Sequence, residues 1–211
     1  MPINRPIVRS IVNSIVNSVV VSTGVVQRYF TTLKAAGSMH YTIPTVTLAG
    51  DYKITASVYF TGTDLNISGN TADFNSRFRV QADGAVGWRP STAGTQVLTS
   101  AAVVPVNKLS TITVERVGAV GTITVDSVSE FSGAVVTGSA IINTLGRAGT
   151  LYAESIISDY ILEDAGVVAR IYKIDEDWTG PSTVLADSSG NGQDGTAVNV
   201  TSADKDSYIL N

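Results

Sequence analysis

Residues 51–60 read DYKITASVYF, so that Tyr52, Ile54, Ala56, Val58 and Phe60 alternate with Asp51, Lys53, Thr55, Ser57 and Tyr59. Such alternation sorts into one apolar and one polar face only if the segment is extended, because successive strand side chains point to opposite sides. The pattern recurs along the chain. In FNSRFRVQ, Phe74, Ser76, Phe78 and Val80 stand opposite Asn75, Arg77, Arg79 and Gln81, and an Asp83-Gly84 hairpin signal follows. KLSTITVERV and GTITVDS predict a hairpin about Gly118 to Gly121, and TLYAESIISDYILED with GVVARIYKIDEDW predict another about Ala165-Gly166. YFTTLKAA and MHYTIP are earlier strands, and GTAVNV is a closing one.

Short strands separated by turn chemistry, with no helical run of three turns, predict an antiparallel sandwich rather than βαβ units. Val, Ile, Thr, Ser and Gly dominate and charged residues make up only 15% of the chain, a bias that favours pleated strands and turns. A chain of 211 residues is long enough for one full core. The expected organisation is an N-terminal arm over 1–28, a β-sandwich over 29–178, and a loop-rich extension over 179–211 that carries the closing strand.

The arm contains a tandem tetrapeptide, IVRS-IVNS-IVNS-VVVS, from Ile7 to Ser22. As a strand neither of its faces is cleanly apolar; as a helix its Ile-Val pairs form a stripe drifting by about 40° per repeat, against β-branched residues that disfavour helix. The segment cannot bury Ile7, Val8, Ile11, Val12, Ile15, Val16, Val19 and Val20 by itself, so these are expected to dock on another subunit or another protein. Charge is polarised in the same sense: residues 1–50 carry Arg5, Arg9, Arg28 and Lys34 with no acid, whereas residues 154–211 carry eleven acids against Arg170, Lys173 and Lys205. Such asymmetry can orient an intermolecular contact. With a net charge of −4 there is no global basic field for nucleic acid, and no apolar run is long enough for a membrane helix. The start of the chain does not read as a signal peptide.

Catalysis finds little support. His40 is the one histidine, expected as a partly exposed strand residue, and it cannot build a multi-histidine metal site. Glycoside hydrolysis needs two carboxylates held across a bond; Asp175 and Asp177 share a strand face with Glu176 opposite, while Glu154, Asp159, Glu163 and Asp164 form no such pair. The chain is therefore expected to be non-enzymatic, with no catalytic residues. Calcium is the most plausible ion, through Asp187, Asn191 and Asp194 in DSSGNGQD, a loop rich in the hard oxygen ligands that Ca²⁺ takes. Tyr41, Tyr52, Tyr59, Trp88, Tyr152 and Trp178 are candidates in type for a glycan platform, with no basis in sequence for choosing among them.

The run KLSTITVERVGAVGTITVDSV, then INTLGRAGTLYAESIISDYILEDAGVVARIYKIDEDW, resembles the later half of a laminin-G-like or concanavalin-A-like jelly roll, and STVLADSSGNGQDGT is similar to a turn common in such domains. The resemblance implies an all-β, antiparallel jelly-roll β-sandwich with an extended N-terminal arm. Joined to the IVxS repeat, it also resembles structural proteins of tailed bacteriophages. That implies a virion component, as capsid decoration, spike or tail fibre, oligomerised through its arm as a trimer and contacting other virion proteins and host surface polysaccharide. The alternative is a carbohydrate-binding, lectin-like module or adhesin.

Overall fold

A computed structural model describes residues 26–72, 76–93, 97–98, 101–152, 155–174, 184–200 and 205–210. The chain runs through β1 (Val26–Leu33), a 3-10 turn (Ala35–Gly37), β2 (His40–Leu48), β3 (Tyr52–Phe60), β4 (Leu65–Gly69), β5 (Phe78–Val80) and β6 (Val86–Trp88). It continues through β7 (Val97–Leu98), β8 (Lys108–Val117), β9 (Val120–Val125), β10 (Val128–Ala134), β11 (Ala140–Leu145) and β12 (Arg147–Ala148). Last come β13 (Leu151–Tyr152), β14 (Ser155–Asp164), β15 (Val167–Lys173), β16 (Val184–Leu185), β17 (Gly195–Val198) and β18 (Lys205–Leu210). The described residues contain no α-helix, as the β-branched composition requires.

Two antiparallel sheets form a sandwich. The first has the order β10-β9-β8-β3-β14-β1-β18, with β15 also on β14; the second runs β16-β17-β2-β11-β4-β5-β6-β7. Strand β14 serves two neighbours along one edge: Ser155, Ile156 and Ile157 pair with β1, and residues 159–164 pair with β15, the change falling at a bulge in its ladder with β3. The expected hairpins form: β8–β9 turns at Gly118 with φ +57°, and β14–β15 turns through Ala165 and Gly166, whose φ values of +49° and +77° match a tight two-residue turn.

The C-terminal segment is part of the sandwich. β16 and β17 extend the second sheet beside β2, and β18 borders β1 in the first. Strands β4, β7, β10, β11, β12, β16 and β18 fall where no strand was expected. Of FNSRFRVQ only Phe78–Val80 is a strand, although Ser76 is buried as its alternation implied.

Packing between the sheets follows the period of two. Tyr52, Ile54, Ala56, Val58 and Phe60 are all buried, while Lys53, Thr55, Ser57 and Tyr59 on the same strand are half-buried on the outer face. The second sheet answers with Leu48, Ile67, Phe78, Val80, Trp88 and Ile142. Each such side chain contributes roughly 1.5–3 kcal/mol when fully removed from water.

One member of this inner layer is a cation. Arg116 lies opposite Tyr52 on the core side of β8 and is only 2% exposed. Its Nε donates to Gly50 O at 3.0 Å and Nη1 to Pro90 O at 3.2 Å, with further bonds from Nη1 to Gly138 O and from Nη2 to Gly50 O. The guanidinium lies 4.8 Å from the centroid of the Tyr52 ring, and the Tyr52 hydroxyl donates to the same Pro90 carbonyl at 2.7 Å. Replacing Arg116 by Met keeps the stem but takes the guanidinium's donors from the carbonyls of Gly50 and Gly138, while Pro90 O keeps the Tyr52 hydroxyl. At about 1–3 kcal/mol per orphaned group, Arg116→Met is expected to lower the unfolding free energy by about 2 kcal/mol or more, read as a lowered urea midpoint at unchanged slope; a loss under about 1 kcal/mol would show that water replaces the guanidinium.

Candidate functional site

The outer face of the second sheet, where β4, β5 and β6 form two successive hairpins, carries a group of polar side chains that are neither in the core nor fully solvated. Phe78 pairs with Trp88, and both point inward; the flanking Arg77, Arg79 and Arg89 are half-buried and lie on the other side. The ladder runs on beyond the strand ends, since Arg89 N donates to Arg77 O at 2.8 Å. Arg77 and Arg89 therefore stand directly across from one another, and Arg79 follows Arg77 by one pleat. Opposite Arg79 lie Asn66 on β4 and Gly87 on β6, the latter placing no side chain on the face. Arg79 Nη2 donates to Gln81 Oε1 at 2.8 Å, and Arg79 Nε is buried with no hydrogen bond.

Burial lowers the pKa of Arg77, the charges of Arg79 and Arg89 lower it further, and Asp64 opposes them. Arg77 thus feels both neighbouring guanidiniums. Beside them lies a strip of amides. Asn143 Oδ1 accepts from Thr71 N at 2.9 Å, and its Nδ2 donates to Asn70 Oδ1 and Thr71 Oγ1, each at 3.2 Å. Asn66 is held by donating to Leu151 O at 3.3 Å, a bond to the β12–β13 hairpin. Planar amides and guanidiniums fixed in this way present donors and acceptors in set directions.

A cleft of about 350 Å³ lies elsewhere, at one end of the first sheet, lined by Asp51, Lys53, Glu115, Arg116, Glu163 and the Ala165-Gly166 turn among others. Glu115 and Glu163 stand on either side of Lys53, one strand away in each direction. Lys53 Nζ meets Glu163 Oε1 at 2.6 Å. The space between the two carboxylates is thus taken by an ammonium, and the Arg116 guanidinium at its floor is committed to the loop carbonyls. Asp159 is half-buried on β14, while Glu154, Asp175, Glu176 and Asp177 lie outside the described residues.

The expected calcium residues lie close together on the loop that finishes the edge of β15. Asp187 Oδ1 accepts from Ile171 N and Ser189 N, both at 3.0 Å, and Oδ2 accepts from Ser189 Oγ at 2.8 Å and Gln193 N at 3.2 Å. Asp194 Oδ1 accepts from Asp187 N at 2.8 Å, and Asn191 Nδ2 donates to Ala169 O at 3.0 Å. The loop is further tied by Tyr172, whose hydroxyl donates to Gln193 O at 2.7 Å and whose pKa burial pushes up to about 12. All three expected ligands therefore tie the loop together or staple it to β15, and a cation at Asp187 would have to displace four donors. The expected docking residues Ile7, Val8, Ile11, Val12, Ile15, Val16, Val19 and Val20 lie outside the described residues.

His40 is buried, not partly exposed, because the β12–β13 hairpin reaches it: Nδ1 lies 2.9 Å from Ser38 O and Nε2 3.4 Å from Arg147 Nη1. A proton on Nδ1 serves the carbonyl and leaves Nε2 to accept from the arginine, which is the neutral ring. Of the aromatic candidates Tyr41, Tyr52 and Trp88 are buried, Tyr59 is half-buried on the first sheet, and the side chains of Tyr152 and Trp178 lie outside the described ones.

His40 and Asp187 make stability sensitive to acid in separate windows. Burial lowers the His40 pKa below 6.5, against the pull of the Ser38 carbonyl and with help from Arg147. The neutral ring's contribution is thus complete above the unfolded value and declines as pH falls below about 6.5 towards the folded one. For Asp187, desolvation raises the pKa, but the bonds from Ile171, Ser189 and Gln193 outweigh it and hold the carboxyl below 3.8. Its contribution is complete above the unfolded value, about 3.9, and vanishes as pH falls through the folded value. In a series of melting temperatures against pH, His40→Gln should flatten the decline that begins near pH 6.5, and Asp187→Asn should lower the neutral-pH value but converge on the wild type in strong acid. An unchanged slope in His40→Gln would refute the neutral-ring assignment. A rise with millimolar calcium, absent in Asp187→Asn, would assign the metal to the loop.

No protein-family model matches the chain, and no curated protein matches its sequence. Solved structures do match its fold. A candidate carbohydrate binding protein from Bacteroides ovatus ATCC 8483 aligns with a TM-score of 0.62 over 87% of this chain, at 11% identity. This chain spans 59% of that protein's length. Sheep galectin-11 aligns over 57% of this chain and 96% of its own, at 10% identity and a TM-score of 0.41. The heptameric SAP-like pentraxin of Limulus polyphemus aligns over 64% and 75%, at 8% identity and a TM-score of 0.44. The first of these places the chain's fold among jelly-roll sandwiches of the lectin-like kind.

Proposed function

We propose that this chain is a saccharide-binding module that holds its ligand by hydrogen bonds on the outer face of β4, β5 and β6. The observation that carries this reading is the grouping of Asn66 and Arg79 on β4 and β5 with Arg77, Gln81 and Arg89 at the ends of β5 and β6, beside the amides of Asn70 and Asn143, all half-buried or buried. Sugars present closely spaced hydroxyl donors and acceptors, and a face of fixed amides and guanidiniums matches them without moving. The fold supports the reading, since the Bacteroides ovatus structure is of a candidate carbohydrate binding protein. The reading is of binding without turnover. Such a module would serve as an adhesin, or on a virion that meets host surface polysaccharide, with the repeat at Ile7 to Ser22 as an anchor that joins three copies.

On an array of plant, microbial and animal glycans the full chain should bind selectively, and Arg79→Ala should reduce that binding about tenfold, the equivalent of one hydrogen bond to a charged group, at an unchanged melting temperature. Absence of binding to every glycan, or full binding by Arg79→Ala, would refute the assigned face. Separately, removal of residues 1–25 should convert a trimer to a monomer in light scattering, and an equal mass per particle before and after would refute the anchor.

A further inference from the structure

We infer that the cleft at the end of the first sheet receives the N-terminal repeat of a neighbouring copy, with Ile7 and Ile11 resting on two apolar hairpin tips and Arg9 reaching between them to Glu115. This rests on the anchor reading above and goes beyond it by placing the arm's partner.

Topology builds the receptor. β8, β3 and β14 lie side by side, and their register sets Arg116, Tyr52 and Asp164 at one level. Past that level β8 runs into its hairpin with β9 and β14 into its hairpin with β15, while β3 gives way to the turn at Gly50 and Asp51. Backbone groups tie that turn to both tips: Gly118 N donates to Asp51 Oδ1 at 2.7 Å, and Ala165 N donates to Asp51 O at 2.8 Å. Two fixed tips therefore flank the cleft of about 350 Å³, whose lining includes Val117, Ala165 and Gly166.

The tips are apolar where turns are ordinarily polar. Val117, Gly118, Ala119 and Val120 form one, and Ala165, Gly166, Val167 and Val168 the other, and all of these residues are exposed, Val117 by 56% and Val167 by 69%. Grouped apolar surface around a polar centre marks a contact with another molecule. The centre itself is acidic. Lys53 is met by Glu163, Arg116 is spent on loop carbonyls, and half-buried Glu115 makes no ion pair among the described residues.

The arm has the matching pattern and the matching length. Residues 1–25 carry Arg5 and Arg9 and no acid. In an extended segment Ile7, Arg9 and Ile11 share one face, and Ile7 and Ile11 stand about 13 Å apart at 3.2–3.4 Å per residue. From the middle of the β8–β9 hairpin to the middle of the β14–β15 hairpin is three strand spacings, about 14 Å. An arm crossing the strands thus sets one isoleucine on each tip, and the residue that falls midway is the arginine. Asn13 and Asn17 hold that place in the later repeats, so the first repeat is the one whose charge suits the cleft.

A neighbour's arm fits better than the chain's own. β15 takes the side of β14 along which β1 would otherwise continue, so an arm leaving Val26 meets β15 and its loop before its own cleft. Giving an arm to one neighbour and taking one from another is a head-to-tail contact, which closes into a ring.

The chain contains no cysteine, so introduced pairs report contact without background. In the full chain under mild oxidant, Ala119→Cys combined with either Ile7→Cys or Ile11→Cys should link chains to one another on a non-reducing gel. In at least one of these combinations the linkage should form about tenfold faster than with Thr61→Cys, an exposed position at the other end of β3, about 30 Å away. Arg9→Glu should raise the concentration at which the assembly dissociates by about fivefold, the worth of one partly exposed ion pair, and Arg9→Glu with Glu115→Arg should restore it. Equal linkage at Ala119 and Thr61, with an assembly still lost on removal of residues 1–25, would overturn the receptor and keep the anchor. Linkage confined within single chains would overturn the neighbouring copy, and a charge swap that restores nothing would overturn the pairing of Arg9 with Glu115. An assembly untouched by removal of residues 1–25 would overturn anchor and receptor together.

Discussion

The interaction on which the sandwich most depends is the bond set of Arg116. Its guanidinium joins three connections that no strand ladder joins: Gly50 in the β2–β3 turn, Pro90 beyond β6, and Gly138 ahead of β11. β2, β6 and β11 belong to the second sheet and β3 to the first, as does β8, which carries the arginine. Hydrophobic packing holds two sheets face to face but says little about how their ends are closed, because it has no direction. Hydrogen bonds do. A cation in an apolar layer is costly unless its donors are met, so the three loops must adopt the positions that meet them. The Tyr52 ring under the guanidinium and its hydroxyl on Pro90 close the same knot from the other strand.

With its end fixed in this way, the sandwich has two outer faces of different character. On the first sheet, Lys53 is flanked by Glu115 and Glu163, and Thr55 meets Thr113 at 3.2 Å between hydroxyls. Opposite charges and paired hydroxyls face one another there. The second sheet is faced differently. Part of it is covered by the β12–β13 hairpin, where Gly149 N bonds Asn70 O at 2.7 Å and Arg147 reaches His40. Gly69 admits the hairpin, since a Cβ there would sit 2.8 Å from the Ala148 Cβ. What lies beyond that cover is the arginine face.

How much of this the sequence disclosed depends on whether a segment meets water on one side. β3 alternates cleanly because its outer face is solvated, and its inward residues could be named in advance. β4 could not be found that way: Leu65, Asn66, Ile67, Ser68 and Gly69 are all buried, since the hairpin covers the side that would otherwise be polar. β10 is an edge strand with exposed and half-buried residues throughout, and β18 stands in a polar terminus, so neither carries a pattern of its own. Asp187, Asn191 and Asp194 lie in one loop, as their spacing in the sequence implies, but whether an Asp carboxylate faces a cation or its own backbone depends on bonds that composition does not encode. His40 was placed in its strand but not in the interior, because the covering hairpin comes from residues more than a hundred positions away.

The arginine face shows most sharply why register matters. A two-residue turn at Asp83-Gly84 would set Ala82 against Ala85, and continuing that ladder would put Arg79 against Trp88 and send Arg89 to the core. The turn is instead one residue out of that register. Asp83 Oδ1 accepts from Ala85 N at 2.9 Å, Gln81 N bonds Ala85 O at 2.8 Å, and Phe78 faces Trp88. A slip of one residue exchanges the two faces of a strand, and burying Phe78 and Trp88 together is worth far more than the repulsion of two partly solvated cations. The core therefore dictates the register, and the register in turn sets Arg77 against Arg89. The arginine face has the geometry it has because two aromatic rings behind it had to be removed from water.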